Sequence, residues 1–253
     1  MATSHLLRMA KLKGAGKILA ASRHNKRVIQ AEKGADSHID APRSHLNYSL
    51  VGFDTPEAVA NHAKNLMADA GIGNLRKDAV LAIEVLFSLP TNTDINTLNF
   101  FIDCCEWLPI HFGGVLLSFD VHHDEAAPHA HALILPLVDG VMAGSDLVGH
   151  RTRLRVLQDS FHINVARKYG LTKPMRKLAG EAKDKTAKSV LDFIKSDSIM
   201  KSSLFQLVRD DIVRNPEKYA DYLNIEKAAP NKKQRDFVTI MTSKGKGSQM
   251  QTL

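Results

Sequence analysis

Val115-Leu116-Leu117-Ser118-Phe119-Asp120-Val121-His122-His123-Asp124-Glu125-Ala126-Ala127-Pro128-His129-Ala130-His131-Ala132-Leu133-Ile134-Leu135-Pro136-Leu137-Val138 is the stretch that decides how this chain reads. Val115 to His122 and His131 to Val138 are apolar and joined by a short acidic loop, which predicts an antiparallel hairpin. His129 and His131 are two residues apart at the start of the second strand. Both side chains therefore point to one sheet face, about 7 Å apart at Cα. His122 closes the first strand and falls opposite them. Pro128 fixes the approach to the second strand, and Ala130 points to the other face, into the core. Three neutral imidazoles on one face can hold a divalent cation while leaving positions open for oxygen ligands. One histidine on a hairpin is ordinary; three at this spacing, next to Asp124 and Glu125, favour a metal site. Glu125 is placed to orient a ligand imidazole or relay a proton, and Asp124 to cap the turn. His123 points away and is a neighbour only.

Outward from the hairpin, Ser4 to Ala10 predicts a first strand and Lys13 to about Lys33 a basic helix. Gly34 to Arg43 is turn-rich, and His45 to Val51 predicts a second strand. Thr55 caps a helix opened by Pro56 and running to about Ala70. Asp78 to Ser88 predicts a central strand. Within it Glu84 must be paired, either as a structural anchor or as a site residue. Asp94 to Trp107 and His150 to Tyr169 predict helices, the second stopped by Gly170. The order β-α-β-α-β-α-β-β-α gives an α+β sandwich with an antiparallel or mixed sheet. After about Asp197, Ile199 to Val213 and a segment capped by Asn215 and opened by Pro216 predict two further helices. The expected domains are 1–196, a helical extension over 197–241, and a loose polar tail over 242–253.

The chain has 253 residues with 34 Lys and Arg against 27 Asp and Glu, a formal net charge of +7 that favours an anionic partner such as nucleic acid. Cys104 and Cys105 are adjacent, which excludes a disulfide framework and fits a reducing cytoplasm. No apolar run has the length of a membrane span, and no signal-peptide core is present.

On its motifs the chain resembles the plasmid mobilisation relaxases of the Mob/Pre (MobV) group, within the histidine–hydrophobic–histidine endonucleases. That group carries H-x-D-E-x-x-P-H-x-H, matched by His122, Asp124, Glu125, Pro128, His129 and His131. It carries H-N-x-R near the N-terminus, matched by His24, Asn25 and Arg27. Arg43-Ser44-His45-Leu46-Asn47-Tyr48, Arg76-Lys77-Asp78-Ala79-Val80-Leu81 and the run Glu181 to Thr186 are similar as well. The resemblance covers about residues 1 to 196. It implies a five-stranded sheet flanked by helices, with Mn2+ or Mg2+ held by His122, His129 and His131. It further implies cleavage of one DNA strand at an origin of transfer during conjugative mobilisation, with His24 as nucleophile.

In that reading the imidazole of His24 attacks phosphorus, giving a 5′-phosphohistidine and a free 3′-hydroxyl, and the covalent link allows the strand to be rejoined. Neutral imidazole, the majority form of an ordinary histidine at neutral pH, is the attacking species. Arg27, three residues on, is expected to share a helix face with His24 and steady the phosphate. Tyr48 is the alternative nucleophile. Arg8, Lys11, Lys13, Arg23, Lys26, Arg43, Asn47, Arg76 and Lys77 are the candidate contacts to single-stranded or hairpin origin DNA. The conjugation coupling machinery is a second expected partner; the oligomeric state stays open. Three other readings remain: a rolling-circle initiator or single-strand transposase of the same class, a zinc hydrolase, and a non-catalytic DNA-binding module with a structural metal. The absence of H-E-x-x-H disfavours the hydrolase, and an open three-ligand set disfavours the structural metal.

Overall fold

The computed structural model describes residues 4–29, 38–91, 93–174 and 177–229, and forms two compact units, Met1–Pro174 and Met175–Leu253. The first unit is built on a five-stranded sheet of order β1-β3-β5-β4-β2, antiparallel at every pairing. Its strands are β1 (Leu6–Lys13), β2 (Tyr48–Val51), β3 (Val80–Ser88), β4 (Val115–His122) and β5 (His129–Leu135). The α+β class with a five-stranded sheet is therefore as expected. The central strand is β5, with β3 and β4 on either side.

Alternation along β5 sends Ala130, Ala132 and Ile134 to one face and His129, His131, Leu133 and Leu135 to the other. The first face packs on α3 (Thr97–Phe112) and, after the short α4 (Gly144–Val148), on α5 (Arg151–Asn164) through Phe87, Phe100, Phe101, Trp107, Phe119 and Phe161. Each of these side chains is at most 2% exposed, and burial of one large apolar side chain stabilises by about 1.5–3 kcal/mol. The second face is covered at one end by α1 (Lys17–Asn25) and α2 (Pro56–Asp69) through Ile18, Val59, Ala60 and Ala63. At the other end of that face the apolar residues give way to the histidines.

Several boundaries differ from expectation for local reasons. β1 continues to Lys13, and Gly14 and Gly16 both have positive φ, so the first helix starts at Lys17 rather than Lys13. It ends at Asn25, and residues 30–33 of the expected helix lie outside the described residues. β5 begins at His129, because its pairing with His122 and Ser88 starts there. Leu137–Val138 belongs to a separate small hairpin with Val141–Met142 (β6 and β7). α3 continues past Trp107 and Pro109 to Phe112, and stops at Gly113 with φ 62. Thr55 caps α2 as expected, accepting from the Ala58 amide at 3.3 Å.

The second unit contains α6 (Gly180–Phe193), α7 (Phe205–Arg214) and α8 (Pro216–Tyr222), packed through Ala187, Val190, Ile194, Ile212 and Ala220. The compact division thus falls at residue 174, and α6 packs with the two later helices, where the expected boundary was 196. Asn215 stands at the start of α8, but its side chain donates to Asp211 instead of capping the helix. The end of the expected extension and the whole 242–253 tail lie outside the described residues. Among the described residues no helix is long and apolar enough to cross a membrane.

Candidate functional site

The hairpin register brings His122 directly opposite His129, and Asp120 opposite His131. The three imidazoles converge on one face, with ring centroids 5.0, 5.1 and 5.2 Å apart in the three pairings. One nitrogen from each lies within 4.8 Å of the others.

Second partners fix which nitrogen that is. His122 Nε2 lies 2.7 Å from the Asn25 carbonyl, His129 Nδ1 2.9 Å from the Ala127 carbonyl, and His131 Nδ1 3.1 Å from Glu84 Oε1. All three partners are acceptors, so each outer nitrogen donates its proton and each inner nitrogen keeps a lone pair. Two of these lone pairs, on His122 Nδ1 and His129 Nε2, are only 3.2 Å apart. They repel unless a cation lies between them. Two imidazoles bound to one divalent ion at about 2.1 Å, in octahedral or tetrahedral arrangement, sit roughly 3.0–3.4 Å apart. The donor set therefore fits a divalent metal. Burial, aided by the charge of Arg27, pushes the His122 imidazole down to about 2, and burial lowers His129 as well. Both rings are held neutral, the form a metal requires. The hydrogen bond from His131 lowers the Glu84 carboxyl against the opposing effect of burial. Glu84 is thus paired, as its place in the strand required, and its partner is a candidate metal ligand.

α1 delivers His24 to the same place. The His24 ring lies 5.3 Å from that of His131 and 6.4 Å from that of His122, both edge-on. His24, His129, His131 and Glu125 line a cleft of about 350 Å³ with Leu6, Leu86, Ala126 and Ala127 as apolar walls. His38, which the sequence reading did not single out, also lines this cleft, with Nε2 3.5 Å from Glu125 Oε2. Tyr48 is on the other side of the sheet. It pairs with Val121, packs against the aromatic core and stacks on His123 at 5.8 Å.

Arg27 does not share a helix face with His24. α1 closes with the Val28 amide bonded to the Arg23 carbonyl and the Arg27 amide to the His24 carbonyl, a Schellman turn with Arg27 left-handed at φ 54. The turn swings the guanidinium inward, where it is 5% exposed. Nε and Nη2 reach the two Asp124 oxygens at 3.1 and 2.8 Å, and Nη2 reaches Glu125 Oε1 at 2.6 Å.

Asp124 is the hub of this network and is fully buried. It also accepts from Ser44 Oγ at 2.8 Å and Asn47 Nδ2 at 2.7 Å, while Asn47 Oδ1 accepts from the His123 amide. Burial acts to raise the Asp124 carboxyl, but the bonds from Arg27, Asn47 and Ser44 outweigh it and hold the group well below the usual carboxylate range. The segments around Arg27, Ser44–Asn47 and Asp124, far apart in sequence, are thus one structure that shapes the loop between β4 and β5.

The expected DNA contacts divide. Arg8, Lys13, Arg23, Arg43, Arg76 and Lys77 are exposed, with Arg23 bonded to Glu57 at 3.0 Å and Arg76 near Asp78. Arg8 pairs in register with Leu86, on the histidine face. Lys11 alternates to the opposite face and reaches the Ser145 carbonyl. Asn47 is committed at both ends, and Lys26 is buried in an ion pair with Asp120 at 2.7 Å. Those last two serve the interior rather than the surface. Cys104 and Cys105 are both free, the first buried in the core of α3.

A family model described as plasmid recombination enzyme (Mob_Pre) matches residues 1–193. A plasmid recombination enzyme of Streptococcus agalactiae is 29% identical over 187 residues, covering 71% of this chain and 37% of the relative. One from Bacillus sp is 31% identical over 146 residues, covering 54% of this chain and 34% of the relative. The chain thus spans little more than a third of the length of these relatives. Among solved structures, the Mn-bound MobM relaxase domain in complex with plasmid oriT DNA superposes with a TM-score of 0.60 at 26% identity, covering 73% of this chain and 99% of that one.

Proposed function

From the premise that the chain belongs to the Mob_Pre family of plasmid recombination enzymes, we propose that it is a relaxase that nicks and rejoins one DNA strand at a plasmid origin of transfer. The observation that carries the reading is the convergence of three inward-facing imidazole lone pairs with the His24 ring 5.3 Å from one of them. The similar MobM domain, bound to manganese and oriT DNA, supports the metal and the substrate class.

His122, His129 and His131 hold the divalent ion, Mn2+ or Mg2+, which when bound withdraws charge from the non-bridging oxygens of the scissile phosphate. His24 is the nucleophile. Its ring nitrogen forms the N–P bond as the P–O3′ bond breaks, and the electron pair leaves with the 3′-oxygen. The imidazole loses its ring proton and the 3′-oxygen gains one, so the products are a 5′-phosphohistidine and a 3′-hydroxyl. Reversal of the step rejoins the strand. Glu125 borders the cleft between His38 and His129 and is the candidate proton relay. Arg27 acts by holding Asp124 and Glu125 in place rather than by gripping the phosphate.

The exposed cations Arg8, Lys13, Arg23, Arg43, Arg76 and Lys77 are the phosphate contacts of this reading, which places the enzyme in the bacterial cytoplasm with the conjugation coupling machinery as a further partner. Supercoiled plasmid carrying the cognate origin, incubated with the protein and Mn2+, is the test. The expected product is a nick with protein on the 5′ end, lost in His24→Ala and retained in Tyr48→Phe. Nicking that survives His24→Ala sinks the nucleophile, and nicking indifferent to chelator sinks the metal.

A further inference from the structure

Three consecutive residues tie the end of α1 to β4 and the loop that follows it. The Asn25 carbonyl accepts from His122, Lys26 reaches Asp120, and Arg27 reaches Asp124 and Glu125. The first and third ties involve groups already placed in the site. The middle one does not.

Lys26 Nζ lies 2.7 Å from Asp120 Oδ1 and 2.9 Å from Ser49 Oγ, and the Ser49 hydroxyl donates to the same carboxylate oxygen at 2.6 Å. The two charged side chains are 8% and 3% exposed. Asp120 sits opposite His131 in register and two residues before His122, on the histidine face of β4. A buried lysine–aspartate pair is a poor way to gain stability, since apolar groups of the same volume fill the space as well or better. What such a pair does well is fix one register between two elements. Here the elements are the turn that ends the helix carrying His24 and the strand carrying His122. Attack on phosphorus requires reacting atoms about 3–3.5 Å apart, and a misplacement of about 1 Å can cost on the order of 100-fold in rate.

We propose that Lys26, through its buried pair with Asp120, is a positioning residue that sets the place of His24 over the three-histidine cluster. This rests on the reading of His24 as nucleophile, and it assigns Lys26 a role inside the protein in place of a contact to DNA.

The full chain is compared with the double variant Lys26→Met/Asp120→Leu, which removes both charges and leaves neither stranded, and with Lys26→Arg, which keeps the pair. Three quantities are read: hydrogen exchange of the segment 20–29 without metal, affinity for Mn2+ alone, and kcat and KM for nicking the origin plasmid. The double variant is expected to exchange roughly 10-fold faster in that segment and to lose about 10–100-fold in kcat at unchanged KM. Its Mn2+ affinity stays close to that of the wild type, and Lys26→Arg restores slow exchange. Unchanged exchange overturns the proposal. So does a parallel loss of Mn2+ affinity, which would make the pair a support of the histidines, or a raised KM at full kcat, which would make Lys26 a DNA contact. Should the double variant not fold, Ser49→Ala loosens the pair without removing a charge, and accelerated exchange is again the expected result and unchanged exchange the refuting one. A wild-type protein that does not nick removes the functional reading alone, because exchange and Mn2+ affinity still decide the tie.

Discussion

Arg27→Ala is expected to be among the most destabilising single changes in the first unit, although the residue lies outside every helix and strand. The guanidinium is 5% exposed and its partner Asp124 fully buried, and removing one member of such a pair costs about 3–5 kcal/mol because a buried charge is left uncompensated. Two effects bound the figure. Ser44 and Asn47 still donate to Asp124, which reduces the loss. The chain can also protonate the stranded carboxyl; from an ordinary value near 4 this costs about 4 kcal/mol at pH 7, at 1.36 kcal/mol for each of roughly three units. The left-handed backbone brings no relief, since alanine is as strained there as arginine. A loss of about 3–4 kcal/mol corresponds to a drop in Tm of very roughly 6–16 °C for a unit of this size. Thermal unfolding of the apo protein measures it, in a cycle with Asp124→Asn and the double variant Arg27→Met/Asp124→Asn. The double variant should lose clearly less than the sum of its parts, with a coupling of at least about 2 kcal/mol. A single Arg27→Ala variant melting within about 2 °C of wild type, or a strictly additive cycle, would refute the placement of Asp124 as a charged hub.

Three further outcomes follow from particular contacts. Glu84→Gln keeps an acceptor near His131 but removes its charge, and Mn2+ affinity by titration calorimetry should fall about 10–100-fold; unchanged affinity would return Glu84 to a purely structural role. Gly52→Ala places a Cβ 2.5 Å from the Leu117 carbonyl at φ +105 and should cost at least about 2 kcal/mol; a soluble variant with wild-type Tm would contradict the close approach of β2 to β4. His5 is buried against Phe161 and His162, and burial, aided by the charges of His162 and Lys173, pushes it down to about 4. The neutral ring contributes stability that is full above pH 6.5 and lost as pH falls from 6.5 toward 4, in total about 3 kcal/mol. His5→Phe should therefore flatten the fall in Tm between pH 7 and pH 4.5, and an equally steep fall in the variant would count against this titration.

The hairpin and its histidines were legible because their logic is local. A strand alternates with period two, so His129, His131 and the facing His122 had to share a face once the strands were recognised. The start of α2 at Thr55 and Pro56 was legible for the same reason, being a property of a few adjacent residues; the helix expected to run to Tyr169 ends at Asn164, and Gly170 closes only the short 3-10 turn Ala166–Tyr169 that follows it. His24 was visible only through the H-N-x-R pattern, since nothing in its own neighbourhood distinguishes it from a solvated histidine on a basic helix. The strand order β1-β3-β5-β4-β2 was needed to put Glu84 beside His131 and Tyr48 on the opposite face.

What the tertiary structure decided are the partners of the charged residues. A sequence shows Lys26 and Arg27 as cations following a basic helix, and solvation is the default for such groups. It takes the left-handed turn at Arg27, and the arrival of Asp120, Asp124, Ser44 and Asn47 from segments 17 to 97 residues away, to bury them. A pairing at that separation depends on how the sheet closes, and no periodicity encodes it. The sequence by itself determined which side chains can hold a metal; only the fold decided which of their nitrogens face inward, which cations stay exposed and which are drawn into the ties around the histidines.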